Sequence, residues 1–305
     1  MPKPQSHDDF ASAAMMRMIA AGVDLLGLGP REHPPMGAHV PRPQKRAVLQ
    51  ALLDLHGPVA VLALSDGLDV MRPEPVLQAL QKARSVGELL DRWGRLERFS
   101  HARHTVLVKS DADGAFRLSH TAKDSGPAPS LAETLLVFGT VTKLTEMIGA
   151  KNVLLQAENG SPFRQNRAWK NPKGLGRLNR VVLSTDETPA KPKFDEPDIP
   201  QDPVAAVRAR IKADPIRRWS IEDLARDTAM STRTLQRRLS EKSVSFSRIM
   251  SKIRMEIAAD YLCAPESQSL AEIGFLTGFS DQAHFSREFR RNVGTSPRAF
   301  REEFQ

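Results

Sequence analysis

Apolar residues recur every three or four positions in five segments of the N-terminal half of the chain. This spacing places them on one face of a helix and is typical of helices that pack against a core. The segments are residues 8–28, 44–56, 76–80, 86–99 and 131–148. The pattern therefore predicts that helices form much of this half.

Two further segments of the same half alternate apolar and polar residues, as half-buried strands do. They are residues 105–109 and 115–120, and they flank an Asp113-Gly114 pair that is typical of a tight turn. We therefore predict a hairpin here. Residues 152–156 and 180–184 are two more predicted strands, so this half is predicted to be an α+β domain.

Two stretches of the last hundred residues repeat one pattern of cap, helix, turn and basic helix. In the first, Ser220 begins a helix, Ala229 lies in the turn, and Ser231 begins a second helix. Leu235 and Leu239 form the inner face of that second helix, because they are one turn apart. Its outward residues are Arg233, Gln236, Arg237 and Arg238.

The second stretch follows a long amphipathic segment, residues 245–262, which we interpret as a connecting helix. Residues 269–291 then repeat the pattern, with Gly278 at the turn and with Phe285 and Phe289 in place of the two leucines. The outward residues of its second helix are Gln282, His284, Ser286, Arg287 and Arg290. The predicted fold is therefore an α+β N-terminal domain followed by an all-α C-terminal domain with two helix-turn-helix units joined by a long helix.

A proline-rich stretch separates the two halves. Residues 187–203 contain five prolines and few apolar residues, which is typical of a semi-extended linker. The predicted domains are residues 1–186 and 204–305. The second domain holds 18 Lys and Arg against 13 Asp and Glu, so it carries +5 of the formal net charge of +8. Such a balance favours polyanionic partners, either nucleic acid or an acidic membrane surface.

The C-terminal runs resemble the AraC/XylS family of bacterial transcription regulators. The sequence is Ser-Thr-Arg-Thr-Leu-Gln-Arg-Arg-Leu at 231–239, Arg-Met-Glu-Ile-Ala at 254–258 and Glu-Ile-Gly-Phe-Leu-Thr-Gly-Phe-Ser-Asp-Gln-Ala-His-Phe-Ser-Arg-Glu-Phe-Arg-Arg at 272–291. The resemblance covers nearly all of residues 204–305 and includes both helix-turn-helix units. It implies an activator that binds promoter DNA and recruits RNA polymerase, with two recognition helices in successive major grooves. The single cysteine of the chain fits a reducing, cytoplasmic setting.

The base-reading positions of that family fall here on residues of both second helices. They are Arg233, Gln236 and Arg237 in the first unit, and Gln282, His284, Ser286 and Arg287 in the second. Arg238 and Arg290 are added as further outward donors to DNA. The sequence departs from the family at Ala229 and Ser243, where glycine is usual, and each costs up to ~1 kcal/mol if its φ is positive.

The N-terminal half is more diffusely similar to the ligand-binding domain of one AraC branch, which includes regulators of amino-acid catabolism and virulence genes. The similarity lies in residues 20–26, 86–99 and 131–155. It implies a domain that binds a small-molecule effector or mediates homodimerisation, and both alternatives stay open. A non-specific, architectural DNA-binding protein is the alternative for the whole chain.

Residues 151–180 form a basic stretch with seven Lys and Arg and one acid, Glu158. It could meet DNA backbone, an anionic effector or a second subunit, although a solvated basic loop is the favoured interpretation. The same stretch contains Phe163 and Trp169.

Little in the composition suggests chemistry. The one cysteine, Cys263, excludes an intramolecular disulfide and a cysteine-based zinc site, and we expect it to be a small buried side chain. No metal, no cofactor and no enzymatic activity are expected, because neither a ligand cluster nor a nucleophile with a base is found. The apolar runs are too short to span a bilayer, so no membrane association is expected.

Overall fold

The computed structural model describes residues 10–28, 39–72, 74–99, 103–123, 125–171, 175, 178–186, 200–265 and 268–304. Contacts along the chain separate it into two units, Met1–Pro192 and Lys193–Gln305. Residues 187–199 of the predicted linker lie outside the described residues. Pro203, at its end, is the first residue of a helix in the second unit.

Among its described residues, the first unit contains five α-helices, which lie in the segments that the hydrophobic pattern predicts. They are α1 (Ala13–Leu26), α2 (Arg42–Ala63), α3 (Pro75–Gln81), α4 (Val86–Phe99) and α5 (Leu131–Met147). A 3-10 helix, Leu64–Asp69, follows α2 directly. Within α2 the helix is interrupted at Gly57, whose φ of 78° and ψ of 178° are not helical, next to Pro58.

The strands of this unit form two antiparallel sheets. They are β1 (Phe10–Ser12), β2 (His39–Pro41), β3 (His104–Ser110), β4 (Phe116–Ala122), β5 (Leu154–Ala157), β6 (Pro162–Gln165), β7 (Ala168–Trp169) and β8 (Arg180–Ser184). Strands β1 and β2 pair with each other, and the other six form one sheet in the order β3-β4-β8-β5-β6-β7. The predicted hairpin is confirmed as β3 and β4, and the two further predicted strands are β5 and β8.

One part of the helix prediction is wrong. The pattern predicts a helix over residues 8–28, but residues 10–12 pair with residues 39–41 as β1 and β2, and α1 begins only at Ala13. Pairing with a strand distant in sequence overrides the local helical spacing, which carries no information about such a partner.

Helix α5 is the centre of the first unit. It begins at a capping box in which the Ser130 side chain and the Glu133 side chain each bind the other's backbone N–H. Leu135, Leu136 and Leu144 are fully buried, and so are most of its polar positions. A helix that is buried on nearly every face belongs to the interior of a domain, which is the position of α5 here.

Glycines allow two unusually close helix contacts around α5 and α1. A Cβ on Gly139 of α5 would lie 2.6 Å from the carbonyl oxygen of Leu62. A Cβ on Gly22 of α1 would lie 2.3 Å from the carbonyl oxygen of Leu64. Both distances are too short for a real Cβ, so backbone packs directly on backbone and only glycine fits.

The helical stretch Pro43–Asp69 is, by length and composition alone, long and apolar enough to cross a membrane. The apolar runs of the sequence did not suggest this. One such stretch is weak evidence, because core helices of folded domains have the same composition. Here it is interrupted at Gly57, and its second half contributes the buried Val61, Leu62 and Leu64 to the core.

The second unit is all-α in its described residues. Its helices are α6 (Pro203–Ala213), α7 (Ile221–Asp227), α8 (Thr232–Glu241), α9 (Phe246–Cys263), α10 (Leu270–Leu276), α11 (Gln282–Val293) and α12 (Pro297–Phe304). Helices α7 and α8 are the first predicted helix-turn-helix unit, α10 and α11 are the second, and α9 is the connecting helix. The predicted fold class, α+β followed by all-α, is confirmed.

Candidate nucleic-acid interface

The first helix-turn-helix unit is built on a core that it shares with the connecting helix. Leu224 and Ala225 of α7 and Leu235 and Leu239 of α8 are buried, as the sequence predicts. They belong to one apolar cluster that also includes Trp219 and, from α9, Ile249, Met250 and Ile253. The inner face of α8 is therefore fixed by packing, and its opposite face is left to solvent.

Both helices of this unit begin at the caps that the sequence predicts. The Ser220 hydroxyl accepts from the Asp223 N–H, and the Asp223 carboxylate accepts from the Ser220 N–H. The Ser231 hydroxyl accepts a hydrogen bond of 3.1 Å from the Thr234 N–H. Because these caps satisfy N–H groups that have no partner inside the helix, each helix has a defined start.

The turn between α7 and α8 has left-handed backbone at Ala229, with φ of 55°. The Met230 N–H then binds the Ala225 carbonyl at 2.8 Å, which closes the end of α7. Ser243, after α8, has the same φ of 55°. Both positions at which the sequence departs from the family glycines therefore have the strained conformation that a glycine would relieve.

All four predicted residues of α8, namely Arg233, Gln236, Arg237 and Arg238, are exposed. Arg237 forms an ion pair with Glu241 one turn further along the helix. An exposed pair of this kind contributes little to stability, so the guanidinium can exchange Glu241 for another anion at small cost. The structure thus brings the first predicted set together on one solvent-facing side of one helix.

The second unit repeats this arrangement around aromatic residues. Phe285 and Phe289 of α11 are fully buried, and their rings lie 5.8 Å apart in an edge-to-face contact. Phe279 and Phe300 extend the row, each 5.4 Å from its neighbour. These rings form a core, as predicted, and they hold α11 with its other side outward.

The predicted residues of α11 lie on that other side, but with different exposures. Arg287 and Arg290 are exposed, whereas Gln282, His284 and Ser286 are half-buried. Long, exposed guanidinium groups therefore flank three shorter side chains, which are placed closer to the body of the domain. The two predicted sets belong to two different helices, one in each unit.

Two residues that the sequence analysis missed, Ser280 and Asp281, hold His284 in position. Asp281 caps α11 by accepting the His284 N–H at 2.7 Å, and this hydrogen bond lowers the pKa of the Asp281 carboxyl. The Ser280 hydroxyl lies 2.9 Å from Nδ1 of His284. The Ser-Asp pair directly before Gln282 is a capping signal in the sequence, but its hold on the imidazole ring depends on the folded turn.

Direct contact between the two helix-turn-helix units fixes the turn of the second helix-turn-helix unit. Gly278 has φ of 80°, and a Cβ at this position would lie 2.2 Å from the carbonyl oxygen of Pro215, which precedes α7. The Arg254 guanidinium of α9 lies 5.6 Å from the centroid of the Phe279 ring, and burial lowers its pKa. The two units are therefore joined by this close contact as well as by α9.

Two predictions outside these helices are wrong, one of them only in part. Cys263 is exposed rather than buried, because it lies one residue, or about 100° around α9, from the buried Leu262. The favoured interpretation of residues 151–180 as a solvated loop is wrong for Arg164, which is 4% exposed and belongs to β6. Among the described residues no group of three or more His, Cys, Asp or Glu could hold a metal ion.

Arg164 is part of a buried ionic cluster that ties β6 and β7 to the helices. Its Nε and Nη2 each donate to the Glu146 carboxylate of α5 at 2.9 Å. Trp169 of β7 donates from Nε1 to Asp66 at 2.8 Å, and the Arg164 guanidinium lies 4.3 Å from the Trp169 ring centroid. Lys143 contacts Asp66 at 3.4 Å and completes the cluster. This part of the basic stretch is therefore internal structure.

Comparison with known proteins finds one family model and several relatives that match part of the chain. The family model described as "Helix-turn-helix domain" matches residues 224–303. The urease operon transcriptional activator of Escherichia coli is 30% identical over 96 residues, which are 32% of this chain and 32% of that protein. The ornithine utilization regulator of Pseudomonas aeruginosa is 31% identical over 105 residues, 34% of this chain and 31% of that protein.

A solved structure of the DNA-binding domain of AdpA, a global transcriptional factor in complex with a target DNA, is 28% identical, with a TM-score of 0.31. It covers 34% of this chain and 94% of that one. The chain thus matches about a third of the length of the curated relatives.

Proposed function

Because the C-terminal unit carries a helix-turn-helix domain of the AraC type, we propose that the chain is a sequence-specific activator of transcription in the bacterial cytoplasm. Helices α8 and α11 enter two successive major grooves of promoter DNA, about one helical turn or ~34 Å apart. The relatives named above are described as an activator and a regulator, and this chain has no enzymatic role in the proposal.

The observation that carries the proposal is the pair of recognition faces. Each consists of a capped helix whose inner side is locked in an apolar core and whose outer side presents Arg and polar side chains. A single basic helix face is most often only solvated. Two such faces, each after a matching turn and both packed on α9, form the arrangement that reads two grooves at once.

The side chains on these faces have the chemistry of base readout. Arg233, Arg237 and Arg287 can each donate two parallel hydrogen bonds to O6 and N7 of guanine. Gln236 and Gln282 match the donor and acceptor pair of adenine in the same way. His284 and Ser286 each offer a single hydrogen bond to a base edge, while Arg238 and Arg290 bind phosphates and set the register.

In this proposal the N-terminal unit, Met1–Pro192, controls the C-terminal unit, Lys193–Gln305. It binds a small-molecule effector or pairs two copies of the chain, and either event changes how well the recognition helices fit their sites. RNA polymerase is then recruited to the promoter. The α+β architecture of the N-terminal unit, with a largely buried α5 and a six-stranded sheet, supports the proposal that this unit is a domain that folds independently.

The second candidate function is non-specific, architectural DNA binding, which the net charge of +8 favours. The two functions differ in discrimination at fixed salt concentration. A specific regulator prefers its site by about 4–10 kcal/mol over random DNA. An architectural protein shows almost no preference between sequences.

Genome-wide mapping of bound DNA in the native cell tests the proposal. The wild-type chain is compared with an Arg237→Ala, Arg287→Ala double variant and with Arg298→Ala as a control. Arg298 matches Arg237 closely, because it is an exposed arginine paired with a glutamate, Glu302, one turn along its helix. The control therefore removes the same charge and the same kind of ion pair from α12.

Sharp peaks upstream of a few genes, lost in the double variant and kept in Arg298→Ala, are the expected result. In vitro, each lost base contact should weaken specific binding by about 1–3 kcal/mol and leave random-sequence binding nearly unchanged. Diffuse occupancy, or peaks that the double variant retains, would exclude two-helix readout and favour the architectural function.

A further inference from the structure

Ser280, Asp281 and His284 form a chain of hydrogen bonds at the start of α11. One oxygen of the Asp281 carboxylate accepts the His284 N–H at 2.7 Å. Its other oxygen accepts the hydroxyl of Ser280 at 2.9 Å. The oxygen of the same hydroxyl lies 2.9 Å from Nδ1 of the His284 ring. The three side chains therefore connect a carboxylate, through a hydroxyl, to one nitrogen of an imidazole.

The direction of the hydrogen bond to the ring follows from the other two. The hydrogen bond from the His284 N–H lowers the pKa of the Asp281 carboxyl, so this group is an anion and can only accept. The Ser280 hydroxyl has one proton, which it donates to that carboxylate. Only its lone pairs are left for the ring, so Nδ1 of His284 carries a proton and donates it. In a neutral imidazole the other nitrogen, Nε2, then has no proton and acts as an acceptor.

Nε2 of His284 is available for a partner outside the chain. Among the described residues, the side-chain hydrogen bond of His284 is the one at Nδ1, and the residue is only half-buried. The ring stands edge-to-face on Phe279, with centroids 5.3 Å apart and an interplanar angle of 88°, so its orientation is held from a second side. His284 is the third residue of α11, and the N-terminal residues of a recognition helix are those that contact base edges.

A helix cap alone does not require this chain of hydrogen bonds. In the first helix-turn-helix unit Ser231 caps α8, and its hydroxyl accepts the Thr234 N–H at 3.1 Å. Thr234 corresponds to His284, since each is the third residue after its cap. The first unit therefore has an ordinary cap at the same place. The second unit adds the Ser280 hydroxyl, which binds the ring and takes no part in capping.

We infer that Ser280 and Asp281 fix the tautomer of His284, so that its ring accepts a hydrogen bond from a base amino group in the major groove. This inference rests on the proposed function and names the class of base at one position of the site. The amino groups of that groove are N6 of adenine and N4 of cytosine, whereas guanine and thymine present acceptors, O6 and O4. On the strand that His284 faces, the site therefore carries adenine or cytosine. Ser280 and Asp281 are positioning residues that act through the ring.

Asp281→Asn tests the inference by reversing the tautomer. Asparagine caps a helix about as well as aspartate, but beside its carbonyl oxygen it carries an NH2 group, which donates to the Ser280 oxygen. The Ser280 proton is then free for Nδ1, so Nε2 of His284 carries a proton and donates. The full chain is used to select duplexes from a random-sequence library. At one position of the selected sequence, Asp281→Asn should change the preference from adenine or cytosine to guanine or thymine, by about tenfold.

Two further variants serve as controls for the selection. His284→Ala should remove the base preference at that one position and keep the rest of the selected sequence. Asp202→Asn makes the same exchange at the cap of α6, where the carboxylate accepts the Ala205 N–H at 2.9 Å. This control should leave the selected sequence unchanged.

Nitrogen-15 NMR of the full chain, labelled at histidine, measures the tautomer without DNA, because protonated and unprotonated ring nitrogens have separate chemical shifts. The signals of His284 are those that His284→Ala lacks. The wild-type ring should be protonated at Nδ1. Ser280→Thr, which keeps the hydroxyl, should retain this state, while Ser280→Ala and Asp281→Asn should lose it.

A wild-type ring protonated at Nε2, or a selected sequence that Asp281→Asn leaves unchanged, overturns the inference. If the selected sequence depends on Arg237 and Arg287 but not on Asp281, the inference alone fails and the regulator stands. If the wild-type chain selects no sequence at all, the proposed function fails and the inference fails with it.

Discussion

Gly278 of the second helix-turn-helix unit lies directly against the carbonyl oxygen of Pro215, which belongs to the loop before the first unit. A Cβ on Gly278 would be 2.2 Å from that oxygen, and its φ of 80° is unfavourable for any residue with a side chain. Two independent constraints therefore require glycine at one turn. Loss of this contact should alter how the recognition helices are held relative to each other.

Gly278→Ala is expected to destabilise the C-terminal unit by about 2–4 kcal/mol, from left-handed strain together with the clash. Thermal unfolding followed by circular dichroism measures this. Gly294→Ala is the matched control, because Gly294 also has positive φ, 92°, but nothing lies within 4 Å of the added Cβ. The control should lose about 1 kcal/mol. Equal losses in the two variants would show that the Pro215 contact contributes nothing.

Ala229→Gly should stabilise the same unit by about 1 kcal/mol, because Ala229 has φ of 55° and glycine adopts this conformation without strain. Ser243→Gly, with the same φ, should add a similar amount. Urea unfolding of the single and double variants checks this. Ser240→Gly, at an exposed position inside α8, serves as the control and should lower the stability. Loss of stability in Ala229→Gly would mean that the turn is not left-handed in solution.

Arg164→Met should destabilise the N-terminal unit by about 3–5 kcal/mol, because it leaves the Glu146 carboxylate, 4% exposed, buried without its bidentate partner. Replacing both residues, Arg164→Met with Glu146→Leu, should cost less than the single change, since no buried charge is then left alone. Chemical unfolding of the three chains gives the comparison. A double variant that is less stable than Arg164→Met would contradict this account.

His120 makes the stability of the N-terminal unit depend on pH. It is buried on β4 and lies 3.0 Å from the Thr134 hydroxyl. Burial, and then repulsion from His104, lower its pKa from 6.5 to about 4. A lowered pKa means that folding favours the neutral ring. The contribution of His120 to the free energy of unfolding is therefore complete above pH 6.5. It falls by about 3 kcal/mol as the pH drops toward 4.

His120→Gln isolates this contribution, because glutamine keeps a polar group near Thr134 but does not titrate. The difference in unfolding free energy between the wild type and this variant should shrink toward the low end of the window. Glu97 acts in the opposite sense. Burial raises its pKa, so its contribution is complete below pH 4.5 and is lost as the pH rises through its folded pKa. If the difference in unfolding free energy between the wild type and His120→Gln does not change with pH, the assignment of the pH dependence to His120 is contradicted.

The C-terminal unit was predictable in detail because its determinants are local. Ser220 and Asp223, or Leu235 and Leu239, act on neighbours three or four residues away, and sequence spacing describes such pairs completely. The nine outward residues follow from the same spacing, and their contacts with DNA stay a prediction.

The first unit shows where sequence reasoning ends. Its helices, the β3–β4 hairpin and strands β5 and β8 were predicted, but β1, β2, β6 and β7 were not. Trp169 meets Asp66 across 103 positions of the chain, and Arg164 meets Glu146 across 18. Charge counting assigned Arg164 to solvent, because its partners belong to α5 and the 3-10 helix. Only the folded chain brings these residues together.

The tryptophans give each unit its own optical signal. The chain has three, and Trp219 alone belongs to the C-terminal unit. Its ring is buried, donates from Nε1 to the Asp214 carbonyl at 2.9 Å, and has the Arg217 guanidinium 4.2 Å from its centroid. Trp93 and Trp169 donate to carboxylates in the other unit. When both are replaced by phenylalanine, the remaining tryptophan fluorescence reports on the core of the C-terminal unit alone. Unfolding of the DNA-binding unit can then be measured separately from unfolding of the N-terminal unit in the intact chain.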